Sequence, residues 1–295
     1  MTIEHLDIKD QKVLNASVII PTLGRLEKVT KLCQNLLDLA PLPIEILVIF
    51  QEPDEYESFK REDFPPVIKP IIIKEKSAVK ARNTGINNAQ GKFLVFLDDD
   101  CTPVKVNWLE RILQPLIDPK ICLVTGAVVG WGGISGKLPF IRRAFLLIPI
   151  ILEPIGNPES KISGYCHTVA GGNFAARSID LKNIGGFDES FDSPSLYEEI
   201  ELSIRIKKLV KGYVWFESSA SVNHDQDAIG GMRATQKNFS ENFVVSQRSK
   251  LIKQLYHNKI EQHFRRVSYI LFRKIVSTLK KIHNTLTGEK VEFRI

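Results

Sequence analysis

A short apolar run that ends in three consecutive aspartates constrains this chain more than any other feature. The run Phe93 to Leu97 (FLVFL) is typical of a strand buried on both faces, and Asp98 to Asp100 follow it directly. Thr102 and Pro103 are then expected as the N-cap and the first residue of a helix. The carboxylates would lie in the turn after a buried strand, where open α/β sheets bind ligands.

The aspartate triplet has two interpretations. Adjacent carboxylates repel one another unless a positive group joins them, and a divalent cation bound by oxygen ligands is the simplest such partner. A solvated acidic turn with Asx hydrogen bonds would show the same residues. The triplet alone does not separate these interpretations.

Strands and helices alternate through the first hundred residues, which predicts an α/β fold with a mainly parallel sheet flanked by helices. Right-handed crossovers bring the carboxyl ends of such strands to one edge, so Thr22, Gln51, Glu52 and the triplet are expected there. Neither GxGxxG nor GxxxxGK[ST] occurs, which argues against a dinucleotide fingerprint and a P-loop. The strands are predicted at 16–21, 44–50, 67–73 and 93–97.

The second half of the chain is less regular. We predict a helix over 103–117, and strands over 121–129, 167–177, 213–216 and 220–222. Residues 130–158 are apolar and rich in glycine and proline, which indicates an insertion: a lid, a partner-binding segment or a buried cover for the sheet.

Three groups in this half are candidates for chemistry, each with a simpler alternative. Gly171 and Gly172 would allow close approach of a ligand, or only form a bulge. Glu198 and Glu199 open a helix, where the dipole favours negative charge, but a carboxylate there could also take a proton from a hydroxyl. His224 follows a strand and is a metal ligand or an ordinary exposed histidine.

The positive charge of the chain is concentrated near its end. The net charge is +6, yet the segment from Arg248 onward holds twelve lysines and arginines against three glutamates. From Met232 the apolar residues recur at helical spacing between these cations, typical of helices that lie on anionic membranes or that pack on a domain with charges in water. We therefore divide the chain into an N-terminal tail (1–15), a catalytic-type domain (16–231) and a basic helical extension (232–295).

Composition limits the setting. The four cysteines form no CxxC pair, and the polar N-terminus is unlike a signal peptide, which favours a cytoplasmic protein with reduced thiols. The longest apolar run is about eight residues, against roughly 20 for a bilayer span. Peripheral contact at the inner face of the cell membrane is left open, and no nucleic-acid partner is expected.

Six segments in order resemble the inverting, GT-A-fold glycosyltransferases of family 2. They are SVIIPTLGR (17–25), ARNTGINNAQGKFLVFLDDD (81–100), GGNFAAR (171–177), GGFDESF (185–191), EEIELSIRIKKLVKGY (198–213) and His224. The resemblance implies transfer of a hexosyl or deoxyhexosyl group from a nucleotide-diphosphate sugar to a hydroxyl of a glycan or lipid-linked acceptor, in surface polysaccharide or glycoconjugate synthesis.

The resemblance also assigns roles to residues. It implies Mn²⁺ or Mg²⁺ held by Asp100, with Asp98 and His224, and a base at Glu199, with Glu198 as second candidate. Gly171, Gly172 and Asn173 would face the acceptor. The implied donor contacts are Pro21, Thr22, Arg25, Gln51, Glu52, Arg82, Asn83, Asp98 and Asp99.

One departure bears on the nucleotide. Where the family usually has an aspartate after the second strand, this chain has Phe50 and Gln51, and Gln51 or Glu52 is the expected substitute. Two alternatives therefore stay open: a metal-dependent nucleotidyltransferase, and a non-catalytic scaffold of the same fold.

Overall fold

The computed structural model describes residues 5–8, 11–130, 144–191, 197–225 and 241–287. The strands are β1 His5–Ile8, β2 Gln11–Thr22, β3 Leu42–Phe50, β4 Ile68–Ile72, β5 Phe93–Leu97, β6 Cys101–Pro103, β7 Ile121–Val129, β8 Leu146–Ile148, β9 Glu153–Ile155, β10 Gly164–Cys166, β11 Asn173–Arg177 and β12 Tyr213–His224. The α-helices are α1 Leu26–Leu37, α2 Pro53–Ser58, α3 Ala78–Asn88, α4 Trp108–Leu113, α5 Ser178–Asn183, α6 Glu198–Val210, α7 Glu241–Leu255 and α8 Lys259–Thr287. Short 3₁₀ turns occupy Arg61–Asp63, Gln114–Ile117 and Glu189–Phe191.

One large sheet organises the described residues, in the order β10-β12-β7-β11-β5-β2-β3-β4. Strands β5, β2, β3 and β4 are parallel neighbours, as the alternation of strands and helices predicted. Strand β11 runs antiparallel between β5 and β7, and β7 is parallel to β12. The carboxyl ends of β2, β3 and β5 therefore meet at one edge.

Apolar residues fill both faces of this sheet. One core cluster lies under α1 and α4, where Trp108 is fully buried. The second lies under α3, α5 and α6, and there the rings of Phe96 and Phe174 stack with centroids 4.4 Å apart. Strand β5 has no exposed residue, which explains its unbroken apolar sequence.

The segment after the aspartates differs from the sequence prediction. Thr102 and Pro103 do not start a helix: they belong to β6, which pairs antiparallel with the end of β12. The helix expected over 103–117 is limited to α4 and a 3₁₀ turn. The local preference for an N-cap is overridden because this backbone completes the ladder with β12.

Other boundaries also move. The first long strand begins at Gln11 rather than Ala16, and β1 pairs with it, so the segment 1–15 contains sheet. The two short strands near residues 213–222 are one strand, β12, with a register shift between Glu217 and Val222. Within 167–177 only Asn173–Arg177 is strand.

A third cluster joins the insertion to the C-terminal helices. The described part of the insertion, 144–158, forms the hairpin β8–β9, and Leu147, Ile151 and Leu152 pack with residues of α7 and α8. Residues 131–143, including the Arg142–Arg143 pair, and residues 226–240 lie outside the described part. Among the described helices, none combines the length and the apolar character needed to cross a bilayer.

Candidate active site

The fold places the aspartate triplet beside the end of β12. Pairing of β6 with β12 sets Cys101 opposite His224, and the Asp225 N–H donates to the Asp100 carbonyl at 2.9 Å. The histidine Nε2 lies 3.6 Å from Asp100 Oδ1. Two residues more than 120 positions apart in the chain are thus neighbours, and their role at a metal stays a prediction.

Cys101 belongs to the same corner and was missed by the sequence prediction. The nearest donor atoms of Asp100, Cys101 and His224 lie within 4.8 Å of one another. Burial, with the three adjacent aspartates, raises the pKa of the Cys101 thiol well above its usual value. Its sulfur lies 3.9 Å from Asp100 Oδ1 and donates weakly to it. The carboxylate and imidazole are the better ligands for a cation here.

Arg25, at the start of α1, supplies a positive partner for the triplet. Its Nη1 donates to Asp99 Oδ1 at 2.7 Å and to Asp100 Oδ2 at 2.6 Å. Thr22 Oγ1 also donates to Asp99, at 2.8 Å. Burial raises the pKa of Asp99 to about 7, although the Arg25 guanidinium opposes this shift. Arg25 therefore neutralises Asp99 and one oxygen of Asp100, and the other oxygen, Oδ1, faces His224 and is the one that fits Mn²⁺ or Mg²⁺.

Arg82, buried on α3, connects the triplet with the acidic start of α6. Its Nη2 lies 3.2 Å from Asp98 Oδ1, and its Nη1 lies 3.2 Å from Glu198 Oε1 and 3.6 Å from Glu199 Oε1. One guanidinium therefore faces three carboxylates that come from positions about a hundred residues apart. Since one guanidinium cannot balance three carboxylates, the carboxyl that is most withdrawn from water is expected to retain its proton.

Glu198 is the carboxyl that best fits this protonated state. Its side chain is 4% exposed, whereas that of Glu199 is 22% exposed. Burial and the neighbouring Glu199 raise the pKa of Glu198 to about 8, and Arg82 only partly offsets them. Glu199, which reaches solvent, is therefore the better proton acceptor.

The paired glycines let the backbone approach these carboxylates. A Cβ on Gly171 would overlap Glu199 Oε1 and lie 2.7 Å from Arg82 Nη2. A Cβ on Gly172 would lie 2.8 Å from Asp98 Oδ2. Both glycines border the carboxylate cluster, so their small size serves the site as well as the turn before β11.

Two asparagines of the predicted site make hydrogen bonds within the protein, and their contacts with donor and acceptor stay predictions. Asn173 is fully buried: its Oδ1 accepts from Trp108 Nε1, and its Nδ2 donates to backbone carbonyls of β7 and β12. Asn83 exchanges hydrogen bonds with the backbone of Phe187 at 2.8 and 3.0 Å, and its amide also reaches Glu189. Asn173 is paired within the protein as a fully buried polar group must be, whereas Asn83 is half-buried.

The residues expected at the nucleotide lie at the ends of β2 and β3. Pro21 and Thr22 end β2, and Gln51 follows β3 and donates from Nε2 to the Thr22 carbonyl at 3.1 Å. Gln51 is 2% exposed, and its Oε1 has no hydrogen-bond partner among the described residues. Glu52, at the start of α2, forms an ion pair with Lys76.

Sequence comparison identifies relatives of the first half of the chain. The family model described as "Glycosyl transferase family 2" matches residues 17–178. The pre-mycofactocin glycosyltransferase of Mycobacterium tuberculosis is 32% identical over 153 residues, which are 51% of this chain and 30% of the relative. The chain therefore matches less than a third of that relative's length.

Solved structures share the fold across most of the chain. The mannosyltransferase PcManGT of Pyrobaculum calidifontis, in complex with GDP-Man and Mn²⁺, has a TM-score of 0.60 and 13% identity over 94% of this chain and 81% of its own. GalNAc-T7 with UDP, GalNAc and Mn²⁺ has a TM-score of 0.58 and 18% identity over 85% of this chain and 53% of its own. These likenesses confirm the predicted fold.

Proposed function

Because this chain belongs to glycosyl transferase family 2, we propose that it transfers a sugar, with inversion, from a nucleotide-diphosphate donor to an acceptor hydroxyl. The observation that carries the proposal is the single guanidinium of Arg82 held between Asp98 and the carboxyls of Glu198 and Glu199. The carboxylate that we propose for the donor side and the one that we propose as the base thus share one guanidinium. That arrangement suits a single displacement at a sugar carbon and needs no carboxylate nucleophile.

Asp100 and His224, with Asp98, would hold Mn²⁺ or Mg²⁺. When bound, such an ion supplies positive charge against the negative charge that develops on the departing diphosphate. The related structures with Mn²⁺ support this choice of ion. Arg25 now neutralises Asp99 and Asp100, and we infer that its guanidinium also orients these carboxylates toward the donor.

Glu199 would accept the proton of the attacking hydroxyl. A carboxylate in this role must be free to take a proton, be reachable from solvent and lie within hydrogen-bond distance of the acceptor. The partial exposure of Glu199 meets the second requirement, and the proton held on Glu198 excludes that neighbour as the acceptor of the proton. Arg82 holds the Glu199 carboxylate in position, and the absence of a side chain at Gly171 leaves room for that carboxylate.

The acceptor we propose is a glycan or lipid-linked hydroxyl in surface polysaccharide or glycoconjugate synthesis. Relatives named as glycosyltransferases support the reaction class. An anionic membrane surface is a further proposed partner, because the C-terminal helices are basic.

Two isosteric variants test the assignment of the base. We expect Glu199→Gln to reduce release of nucleoside diphosphate from a bound donor by about a thousandfold or more, within the range of general-base effects. Donor affinity should stay within about threefold of wild type. Glu198→Gln, which mimics the protonated acid, should keep most of the activity at pH 7.

Unchanged turnover in Glu199→Gln would remove this residue from the mechanism. Release of pyrophosphate in place of nucleoside diphosphate would instead identify a nucleotidyltransferase.

A further inference from the structure

Helix α8 exposes an apolar stripe on the face that points away from the rest of the protein. Ile260, Phe264, Val267, Leu271 and Ile275 recur at helical spacing and are 81, 59, 40, 54 and 59% exposed. The stripe runs for about 22 Å along one side of the helix. A surface helix of a globular protein normally turns its polar face outward, so this apolar face requires a partner.

The opposite face of α8 is already used for packing. Tyr269 is buried in the third core cluster with Val244 and Leu251 of α7. Arg265 donates to the carbonyls of Pro149 at 2.7 Å and Ile150 at 3.1 Å. The helix is therefore fixed to the protein through one side, and the stripe is a second, separate apolar face.

The charges around the stripe indicate the chemistry of the partner. Among the cations of α8, Arg265 bonds to Pro149 and Ile150 on the packing side. Lys259 and Lys274 are exposed, and each is the chain neighbour of a stripe residue, Ile260 or Ile275. An apolar face bordered by cations is complementary to anionic headgroups above acyl chains. Pairing with the same face of a second copy would instead bring like charges together.

We infer that α8 binds the surface of an anionic phospholipid bilayer, with the stripe from Ile260 to Ile275 inserted at the headgroup level. The inference goes beyond the proposed sugar transfer and does not depend on it, since binding requires neither donor nor acceptor. Its consequence for that function is that a lipid-linked substrate would meet the protein at the membrane surface.

Sedimentation of the full chain with vesicles tests this inference. We compare vesicles of phosphatidylcholine with vesicles in which about a third of the lipid is phosphatidylglycerol. We expect the chain to bind the anionic vesicles at least about tenfold more tightly, and to lose much of this preference at high salt. Phe264→Ser/Leu271→Ser should reduce binding by about tenfold or more, because two inserted apolar side chains are lost.

A matched variant controls for the general loss of exposed apolar surface. Ile179 and Leu209 are 60 and 50% exposed on α5 and α6, and Ile179→Ser/Leu209→Ser should bind vesicles as the wild type does. Circular dichroism and the unfolding midpoint should be unchanged in both double variants, since all four side chains are exposed.

Three results would overturn the inference. These are wild-type protein that stays in the supernatant with anionic vesicles, equal loss of binding in the two double variants, and equal affinity for both vesicle types. A wild-type dimer that Phe264→Ser/Leu271→Ser converts to a monomer, without vesicle binding by either, would assign the stripe to a second copy instead.

Discussion

Replacing Glu198 with glutamine should change how the stability of the protein depends on pH. Burial and Glu199 raise the pKa of Glu198 from 4.5 to about 8 in the folded state. Between these values the folded chain keeps a proton that the unfolded chain has lost, so the wild type loses stability as the pH rises through this window. Glutamine does not ionise, and Glu198→Gln should escape the loss.

The size of the effect follows from the separation of the two pKa values. One pKa unit of separation corresponds to about 1.4 kcal/mol in the free energy of unfolding, so the full difference between the two pKa values gives at most about 5 kcal/mol. Because Glu198, Glu199 and Arg82 titrate as a coupled group, we expect roughly 2–3 kcal/mol in practice. For a chain of this size that is on the order of 5–10 °C in the unfolding midpoint.

Thermal unfolding of both proteins from pH 5 to pH 8.5 measures this difference. The two midpoints should nearly coincide at pH 5, and the variant should be the more stable protein at pH 8. Glu62→Gln, at an exposed position, should follow the wild type throughout. The reasoning would be refuted if the unfolding midpoints of Glu198→Gln and wild type changed in parallel with pH. It would also be refuted if the wild type became the more stable protein as the pH rises.

Four further substitutions test other contacts. Arg25→Met removes the cation from the carboxylates of Asp99 and Asp100, so calorimetry should show a free energy of unfolding that is lower by about 2–4 kcal/mol. Added Mn²⁺ should stabilise this variant more than it stabilises the wild type. An equal response to Mn²⁺ in both proteins would contradict this. Gly171→Ala should lower turnover about tenfold or more with a midpoint within about 2 °C of wild type, because the added Cβ displaces only the flexible ends of the base and its arginine. In Gly126→Ala the added Cβ meets a backbone carbonyl, so this variant should lower the thermal unfolding midpoint by several degrees. A larger loss of stability in Gly171→Ala than in Gly126→Ala would contradict the packing of these two glycines. Arg248→Met leaves the buried Glu153 unpaired and should cost about 3 kcal/mol or more in urea unfolding, whereas a loss under about 1 kcal/mol would show that the pair contributes little.

The fold could be predicted where local pattern and burial agree. The unbroken apolar run of β5 predicts its burial, and helical spacing predicts α1, because each element is read from its own residues. The segment Cys101–Pro103 could not be predicted in this way, since it is extended only through its pairing with β12. Thr102 is a favourable N-cap residue, but the hydrogen bonds between β6 and β12 outweigh this local preference.

The residue types of the candidate site could be predicted from the sequence, but the contacts between distant residues could not. The triplet, Glu199 and His224 stand out in the sequence because of their chemistry and their place after strands or at a helix start. No spacing in the sequence shows that Arg82 lies between Asp98 and Glu198. The burial of Asn173 was also hidden, because its hydrogen-bond partners come from three distant segments.

Binding of nucleotide sugars with and without Mn²⁺ tests the central claim most directly. A panel of UDP-, GDP- and dTDP-linked sugars is titrated by calorimetry into wild type, Asp100→Asn and the exposed-site control Asp118→Asn. The account predicts that at least one donor binds wild type and control with Mn²⁺, and that chelation of the metal or Asp100→Asn weakens its binding by at least about tenfold. Failure of every donor with Mn²⁺ present, or equal affinity after chelation and in Asp100→Asn, would contradict it.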